Sequence, residues 1–171
     1  MYPRGRPIVP DFEPAELLFL RYGAEHWVEG QLHQTAVKFP SKSGVSVNRS
    51  GPSGALSEPE DVLFDEHGKY NGLGVVGFAV SAIPPRLDPD HDLKETWPSF
   101  VFFPRHVPLD AENDPNETEI NYAHSEIWSQ RADSPRMPGQ YKEPSPTAKL
   151  RFRIQLCKII RQEQICVKAV R

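Results

Sequence analysis

The sequence contains few cysteines and no long apolar segment, and both absences narrow the class of protein. Only two of the 171 residues are cysteine, too few for the disulfide framework of a small secreted domain. Cys157 and Cys166 are also too far apart for a CxxC redox or zinc motif, so we expect both to be buried and reduced. No apolar run approaches the roughly 20 residues that span a bilayer, and no apolar segment follows residues 1–10 as in a secretory signal. These features predict a cytoplasmic protein that does not enter a membrane.

Motifs that identify a reaction are absent too. Neither Ser46 nor Ser125 lies in a G-x-S-x-G nucleophile elbow. The G-x-G-x-x-G spacing of Gly72, Gly74 and Gly77 precedes a Val-rich segment, whereas a dinucleotide site has these glycines between a strand and a helix. The sequence shows no internal repeat and no RNA-recognition or helix-turn-helix pattern. The function must therefore be sought in composition, charge and isolated groups of side chains.

Proline and glycine, in contrast, are abundant. Pro 18 and Gly 11 amount to about 17% of the chain, against about 12% in average usage. Both residues interrupt helices, so a helical bundle or coiled coil is excluded. Residues 1–15 predict an extended proline-rich N-terminal arm, and residues 16–171 predict a single domain. Long proline-rich loops are expected within this domain at 84–98, 104–119 and 130–146.

The apolar runs between these loops predict a mixed, mostly antiparallel sheet of five to seven short strands. Each run is rich in β-branched or aromatic residues or alternates in polarity, as strands do. The expected strands are residues 16–22, 35–39, 44–49, 73–83, 99–103 and 165–170.

Two helices complete the prediction, which gives an α+β fold. Ser57 and Glu60 have the spacing of a capping box, so a short helix is expected over 58–64. Ser145 and Pro146 resemble the start of a helix over 147–161, packed on one face of the sheet. A strand is the alternative there, because apolar residues also alternate from 150 to 156. Residues 120–128 fit either a strand or a helix.

One group of side chains has the composition of a metal site. His106 follows the expected strand 99–103, and His124 and Glu126 are two residues apart. If 120–128 is a strand, His124 and Glu126 share a face and would meet His106 on a neighbouring strand. Two imidazoles and one carboxylate bind Zn²⁺ or Fe²⁺ with an open coordination position. The alternative function is therefore a metal-assisted hydrolase with His106, His124 and Glu126 as catalytic and metal-binding residues; otherwise no cofactor is expected.

A second enzyme hypothesis rests on the order of four residues along the chain. Arg21 on the first strand, His33 and Thr35 in the next segment, and the later Glu126 resemble the order found in ADP-ribosyltransferases. The resemblance covers only these residues. It implies that they would hold a nicotinamide dinucleotide and stabilise an oxocarbenium ion.

Charge is distributed unevenly. Residues 147–171 contain seven cations and one carboxylate, whereas the whole chain has a formal charge of −3. The cations either balance acidic loops of the same fold, dock an acidic partner protein or bind nucleic acid. Aromatic residues beside loops are a further sign of an interface. The leading prediction is a non-enzymatic interaction or accessory subunit of a protein complex, with a nucleic-acid-binding subunit as second alternative. The expected partner-binding residues are Lys149, Arg151, Arg153, Lys158, Arg161, Trp128 and Tyr141.

Overall fold

Nine strands and two α-helices are found in the part of the chain that the structure describes. The computed structural model describes residues 11–39, 44–63, 74–109, 114–116, 120–133, 144–163 and 165–167. The helices are α1 Pro59–Leu63 and α2 Pro146–Glu163. The strands are β1 Leu17–Tyr22, β2 Trp27–Val28, β3 Gln31–Leu32, β4 Val45–Arg49, β5 Gly74–Ala79, β6 Arg86–Leu87, β7 Phe100–His106, β8 His124–Arg131 and β9 Ile165–Val167.

Seven of the strands form one sheet in the order β6-β7-β8-β4-β1-β5-β9, and β2 and β3 form a separate hairpin. This arrangement confirms the predicted α+β class. Every pairing among the described strands is antiparallel, so the expectation of a mixed sheet is corrected. Among the described residues, no helix combines the length and apolar character needed to cross a membrane.

One face of the sheet, called here the helix face, carries the main core. Leu18 and Leu20 of β1 point to this face together with Phe78 of β5, and all three are buried. The α2 helix contributes Phe152, whose ring stacks on that of Phe102 in β7 at a centroid distance of 3.9 Å and an interplanar angle of 6°. Aromatic stacking and burial of large apolar side chains therefore fix the helix to the sheet.

The opposite face of the sheet, called here the open face, differs in composition. The short helix α1 packs on it at one end, where Val62 contacts the small cluster formed by Phe19 and Val75. Towards β4, β8 and β7 the open face becomes polar, since Ser46, His124, Glu126, Trp128 and Arg105 project from it by strand alternation. The main apolar core thus lies on the helix face, and these polar side chains lie on the open face.

Several local predictions are decided by the structure. Residues 124–128 of the uncertain segment 120–128 lie in strand β8, and 147–161 is helical as favoured. Residues 35–39 are not a strand, because a 3₁₀ turn at Gln34–Ala36 follows His33, whose carbonyl accepts from the amide of Ala36 at 3.0 Å. The α1 helix is present, but its capping contact lies one residue later than the predicted Ser57–Glu60 box, since Asp61 accepts from the amide of Glu58 at 2.8 Å.

Strand β7 continues past the proline that was expected to end it. Phe102 donates its amide to the Pro85 carbonyl at 3.1 Å, on the side of β7 that β6 occupies. Pro104 has the same orientation two residues later, beyond the two-residue strand β6. A proline is tolerated there because no ladder partner requires its missing N–H. The loop predicted from residue 104 therefore begins after His106.

The pairing between β1 and β4 is unusually short. Only Leu18 with Arg49 and Phe19 with Asn48 are in register, whereas β1 pairs with β5 over six positions. The next pairs in this register would be Leu20 with Val47 and Arg21 with Ser46, and neither is part of the ladder. The two strands consequently diverge from this point, and the sheet opens between them.

Some predictions fall outside the described residues. The N-terminal arm is described only from residue 11, and Tyr141 and residues 168–171 are not described. The division into an arm and a single domain therefore stays a prediction.

Candidate functional site

The three residues of the expected metal site do not lie on one face of the sheet. His124 and Glu126 share the open face, as predicted for a strand. His106 pairs across the ladder with Ser125, and its Nδ1 lies 3.2 Å from the Ser125 hydroxyl. Because directly paired residues project to the same side, His106 points to the helix face. The expected convergence of His106 with His124 and Glu126 is therefore corrected.

The surroundings of His106 favour the neutral form of its imidazole ring. Burial, with a further contribution from the Arg49 guanidinium, lowers the pKa of His106 from 6.5 to about 4. The Nε2 atom is buried without a hydrogen-bond partner in the described structure. Among the described residues no group of three histidine, cysteine or acidic side chains is placed to hold a metal ion. His106 thus belongs to the packing of the helix face.

His124 is held through both ring nitrogens. Its Nδ1 lies 2.7 Å from the carbonyl oxygen of Val107, and its Nε2 lies 3.0 Å from the hydroxyl of Ser46. The ring is buried, with 8% of its surface exposed, whereas Ser46 is exposed. A buried imidazole therefore contacts a serine that solvent can reach.

Glu126 is occupied by hydrogen bonds from its own sheet. Its Oε2 accepts from the amide of Gly44 at 3.3 Å and from the indole Nε1 of Trp128 at 2.5 Å. The guanidinium of Arg105 lies 4.9 Å from the centroid of the Trp128 ring. These contacts fix the orientation of Trp128 on the open face and leave the ring half-buried.

The opening between β1 and β4 forms a cavity of about 440 Å³. Ser46 lies on its wall, next to the end of the β1–β4 ladder. Two cationic side chains, Arg21 and Lys38, line it together with His26 and Glu25. Its volume is in the range of small-molecule sites. The remaining lining residues are Leu20, Tyr22, Gly23, Ala36 and Val45.

The four residues that resemble an ADP-ribosyltransferase set are not all brought together. Arg21 lies in the wall of the cavity, and it shares the open face with Glu126 by strand alternation. The side chains of His33 and Thr35 hydrogen-bond to each other at 2.9 Å in the segment after β3. Neither residue lines the cavity.

The predicted basic residues of the C-terminal helix do not form one surface, because their side chains point in different directions from the helix. Arg151 donates from Nε to Oε1 of Glu95 at 2.6 Å and also lies near Asp90, so it balances the acidic loop 88–95. Arg153 turns towards the ring of Phe39, with its guanidinium carbon 5.9 Å from the centroid. Of the other predicted cations whose side chains are described on α2, Lys158 is exposed and Lys149 is half-buried. The side chain of Arg161 and all of Tyr141 lie outside the described residues.

The outer surface of α2 is partly apolar. Leu150 is 44% exposed and Ile154 is 39% exposed. Residues four apart lie on the same side of a helix, so Leu150, Ile154 and Lys158 form one row along it. Trp128, on the open face, lies on the other side of the sheet. The row formed by Leu150, Ile154 and Lys158 is called here the α2 row. The predicted partner-binding residues Lys158 and Trp128 thus lie on two different surfaces.

Comparisons with known proteins add no relative. No family model matches the chain, and neither the curated proteins nor the solved structures contain a significant match.

Sequence reasoning missed the contact between Ser46 and His124. Both residues were considered, Ser46 as a nucleophile without its elbow and His124 as a metal ligand. Their pairing depends on the register of β4 against β8, in which Ser46 is opposite Glu126 and Asn48 is opposite His124. Strand alternation in both segments indicates a shared face, but no local signal specifies that register.

Proposed function

We propose that the chain is a cytoplasmic protein-interaction subunit that docks an amphipathic helix of a partner protein on the α2 row. The proposal rests on one observation. Leu150 and Ile154 expose neighbouring apolar side chains on a helix whose opposite side packs Phe152, Leu156 and Ile160 into the core. Such strips are the usual receptor for apolar side chains spaced three and four apart on a partner helix.

Charge specifies the partner further. Lys158 extends the apolar strip by one helical turn and is exposed. No acidic residue occurs in α2 before Glu163. A partner helix with a carboxylate near one end of its apolar stripe therefore complements the row in both polarity and charge.

Nucleic-acid binding is supported less well by the same helix. A phosphate backbone requires several free cations along one surface, yet Arg151 is paired with Glu95 and Arg153 faces Phe39. The outer row combines one exposed cation with two aliphatic side chains, which fits a protein partner better.

Photo-crosslinking in the source cell tests the proposal. A photoreactive residue is placed at Ile154 and, as a control on the open face, at Phe103, which is 36% exposed. We expect a cross-linked peptide at position 154 that combines apolar residues with a carboxylate. The cross-link at 154 should weaken at least tenfold in a Lys158→Glu background, whereas Val28→Glu, at another exposed apolar residue, should leave it unchanged.

Four other results would overturn the proposal. These are cross-links at 154 only to a second copy of this chain, cross-links only to nucleic acid, equal labelling from Phe103, and no cross-link at all. A salt titration of binding to random-sequence RNA and DNA separates the nucleic-acid outcome, because phosphate contacts weaken as salt rises.

A further inference from the structure

The hydrogen bonds of His124 define which of its nitrogens carries the proton. The Val107 carbonyl can only accept, so the Nδ1 atom 2.7 Å away must be the donor. In a neutral imidazole Nε2 is then the acceptor, and the Ser46 hydroxyl at 3.0 Å donates to it. This hydrogen-bond direction, from the serine hydroxyl to the imidazole nitrogen, is the one that a base needs in order to remove a proton from a serine.

Exposure differs between the two partners in the way that nucleophilic catalysis requires. Ser46 is exposed and lies on the wall of the cavity between β1 and β4. His124 is 8% exposed, and the Val107 carbonyl fixes its ring. The Val107 carbonyl thus orients the imidazole, which is one of the roles that the third member of a catalytic triad has.

The backbone at Ser46 adds a donor. The amide of Arg49 donates to Ala123 on the β8 side of β4. Peptide groups alternate along a strand, so the amide of Ser46 is directed to the other side, towards β1. The β1–β4 ladder has ended there, and this N–H therefore faces the opening in which an oxyanion would develop.

The cavity also indicates the charge of its ligand. Arg21 and Lys38 contribute two cations to the lining, against one carboxylate from Glu25. A small substrate with a carboxylate or phosphate group would be attracted to these cations while its reacting carbon lies beside Ser46.

We propose that Ser46 and His124 are a nucleophile and general base that hydrolyse small anionic esters in the cavity between β1 and β4. The Ser46 oxygen attacks the ester carbonyl carbon, and its proton moves to Nε2 of His124. The carbon–oxygen bond to the alcohol then breaks, and the alcohol leaves with that proton. Water attacks the acyl group, its proton passes through His124 to the Ser46 oxygen, and the acid is released. The reaction consumes one water and involves no change of oxidation state.

Covalent labelling tests the nucleophile without knowledge of the natural substrate. The intact chain is treated with a fluorophosphonate, which reacts with activated serines, and the modified peptide is identified by mass spectrometry. We expect labelling at Ser46, lost in Ser46→Ala and reduced at least tenfold in His124→Gln. Ser81→Ala, at an exposed serine in the turn after β5, is the matched control and should label normally.

Hydrolysis of two chromogenic esters tests the substrate class. We expect turnover of 4-nitrophenyl hemisuccinate to exceed that of neutral 4-nitrophenyl acetate, and Arg21→Met with Lys38→Met to remove this preference. Turnover of both esters should disappear in Ser46→Ala, whose thermal unfolding should match that of the parent. Absent labelling, labelling that persists in Ser46→Ala, or equal turnover by that variant would overturn the proposal. Because α2 lies on the other face of the sheet, these results are independent of the α2 row.

Discussion

Arg49 and Glu16 form a bidentate ion pair in the interior of the protein. Nε donates to Oε1 at 2.5 Å and Nη2 to Oε2 at 2.8 Å, and both side chains are buried. The guanidinium also donates to the Asp11 carbonyl at 2.7 Å, and Glu16 accepts from the amide of Gly51 at 2.9 Å. Buried charges are tolerated when their hydrogen bonds are satisfied in this way. The pair joins β4 to the start of β1.

Replacing one partner should therefore be costly. Arg49→Met leaves the Glu16 carboxylate buried without its cation, and we expect the free energy of unfolding to fall by about 3–5 kcal/mol. Urea denaturation followed by circular dichroism measures this loss. The double variant Arg49→Met, Glu16→Met should lose clearly less than the sum of the two single variants. Additive losses would show that the two charges do not stabilise each other.

The His106 ring should make stability depend on pH. Its pKa is about 4 in the folded protein and near 6.5 when unfolded. Between these values the unfolded chain binds more protons, so stability falls as the pH decreases from about 6.5 to about 4. Because the ring is only half-buried, we expect a loss of about 1–2 kcal/mol.

Unfolding free energies at pH 7 and pH 4.5 measure this effect in the parent and in His106→Asn. The parent should lose more stability than the variant over this interval. His91→Asn, at an exposed histidine, is the control and should follow the parent. A His106→Asn variant with the same pH slope as the parent would contradict the assignment.

Phe152 should be among the most sensitive positions of α2. Its fully buried ring stacks on Phe102 and meets the edge of Phe39 at 5.4 Å. Phe152→Ala removes these contacts and leaves a cavity, so we expect a loss of about 3–5 kcal/mol in chemical denaturation. The exposed neighbour Ile154 is the comparison, and Ile154→Ala should change stability by less than about 1 kcal/mol. Similar losses for both variants would contradict the packing of α2 on the helix face.

Gly44 should not accept a side chain. A Cβ atom at this position would overlap the carbonyl oxygen of Ile127, which is fixed backbone. We expect Gly44→Ala to destabilise the protein by about 1–3 kcal/mol in thermal unfolding, because β4 and β8 must move apart. At Gly54 a Cβ meets nothing within 4 Å, although φ is +74°. Gly54→Ala therefore tests the strain of the left-handed backbone conformation alone, and we expect the free energy of unfolding to fall by about 1 kcal/mol. A Gly44→Ala variant that melts with the parent would refute the clash.

Most elements could be predicted from local sequence. The β-branched and aromatic composition of β1, β4 and β5 indicated strands, and Ser145 with Pro146 indicated the start of α2. Pro104 misled the prediction of β7, because whether a proline can continue a strand depends on how far the neighbouring strand extends. That is a property of the sheet and not of the proline's own segment.

The candidate site was predictable only in part. Period-two alternation placed His124 and Glu126 on one face, as the structure shows. The same alternation carries no information on which face His106 occupies, since a shift of one residue against β8 would reverse it. Likewise, the basic character of residues 147–171 is visible in the sequence, but the pairing of Arg151 with Glu95 is a contact across 56 positions.

The short β1–β4 ladder divides the sheet into two plates, β6-β7-β8-β4 and β1-β5-β9. The direct connections between the plates include the two ladder pairs, the Arg49–Glu16 ion pair, and hydrogen bonds from the Ser50 amide to Leu17 and from the Gly51 amide to Glu16. On the helix face, α2 contacts both β5 and β6. A bending motion of the domain would concentrate at this line, as in a hinge. Such bending would change the width of the opening beside Ser46 while the ladders within each plate stay intact.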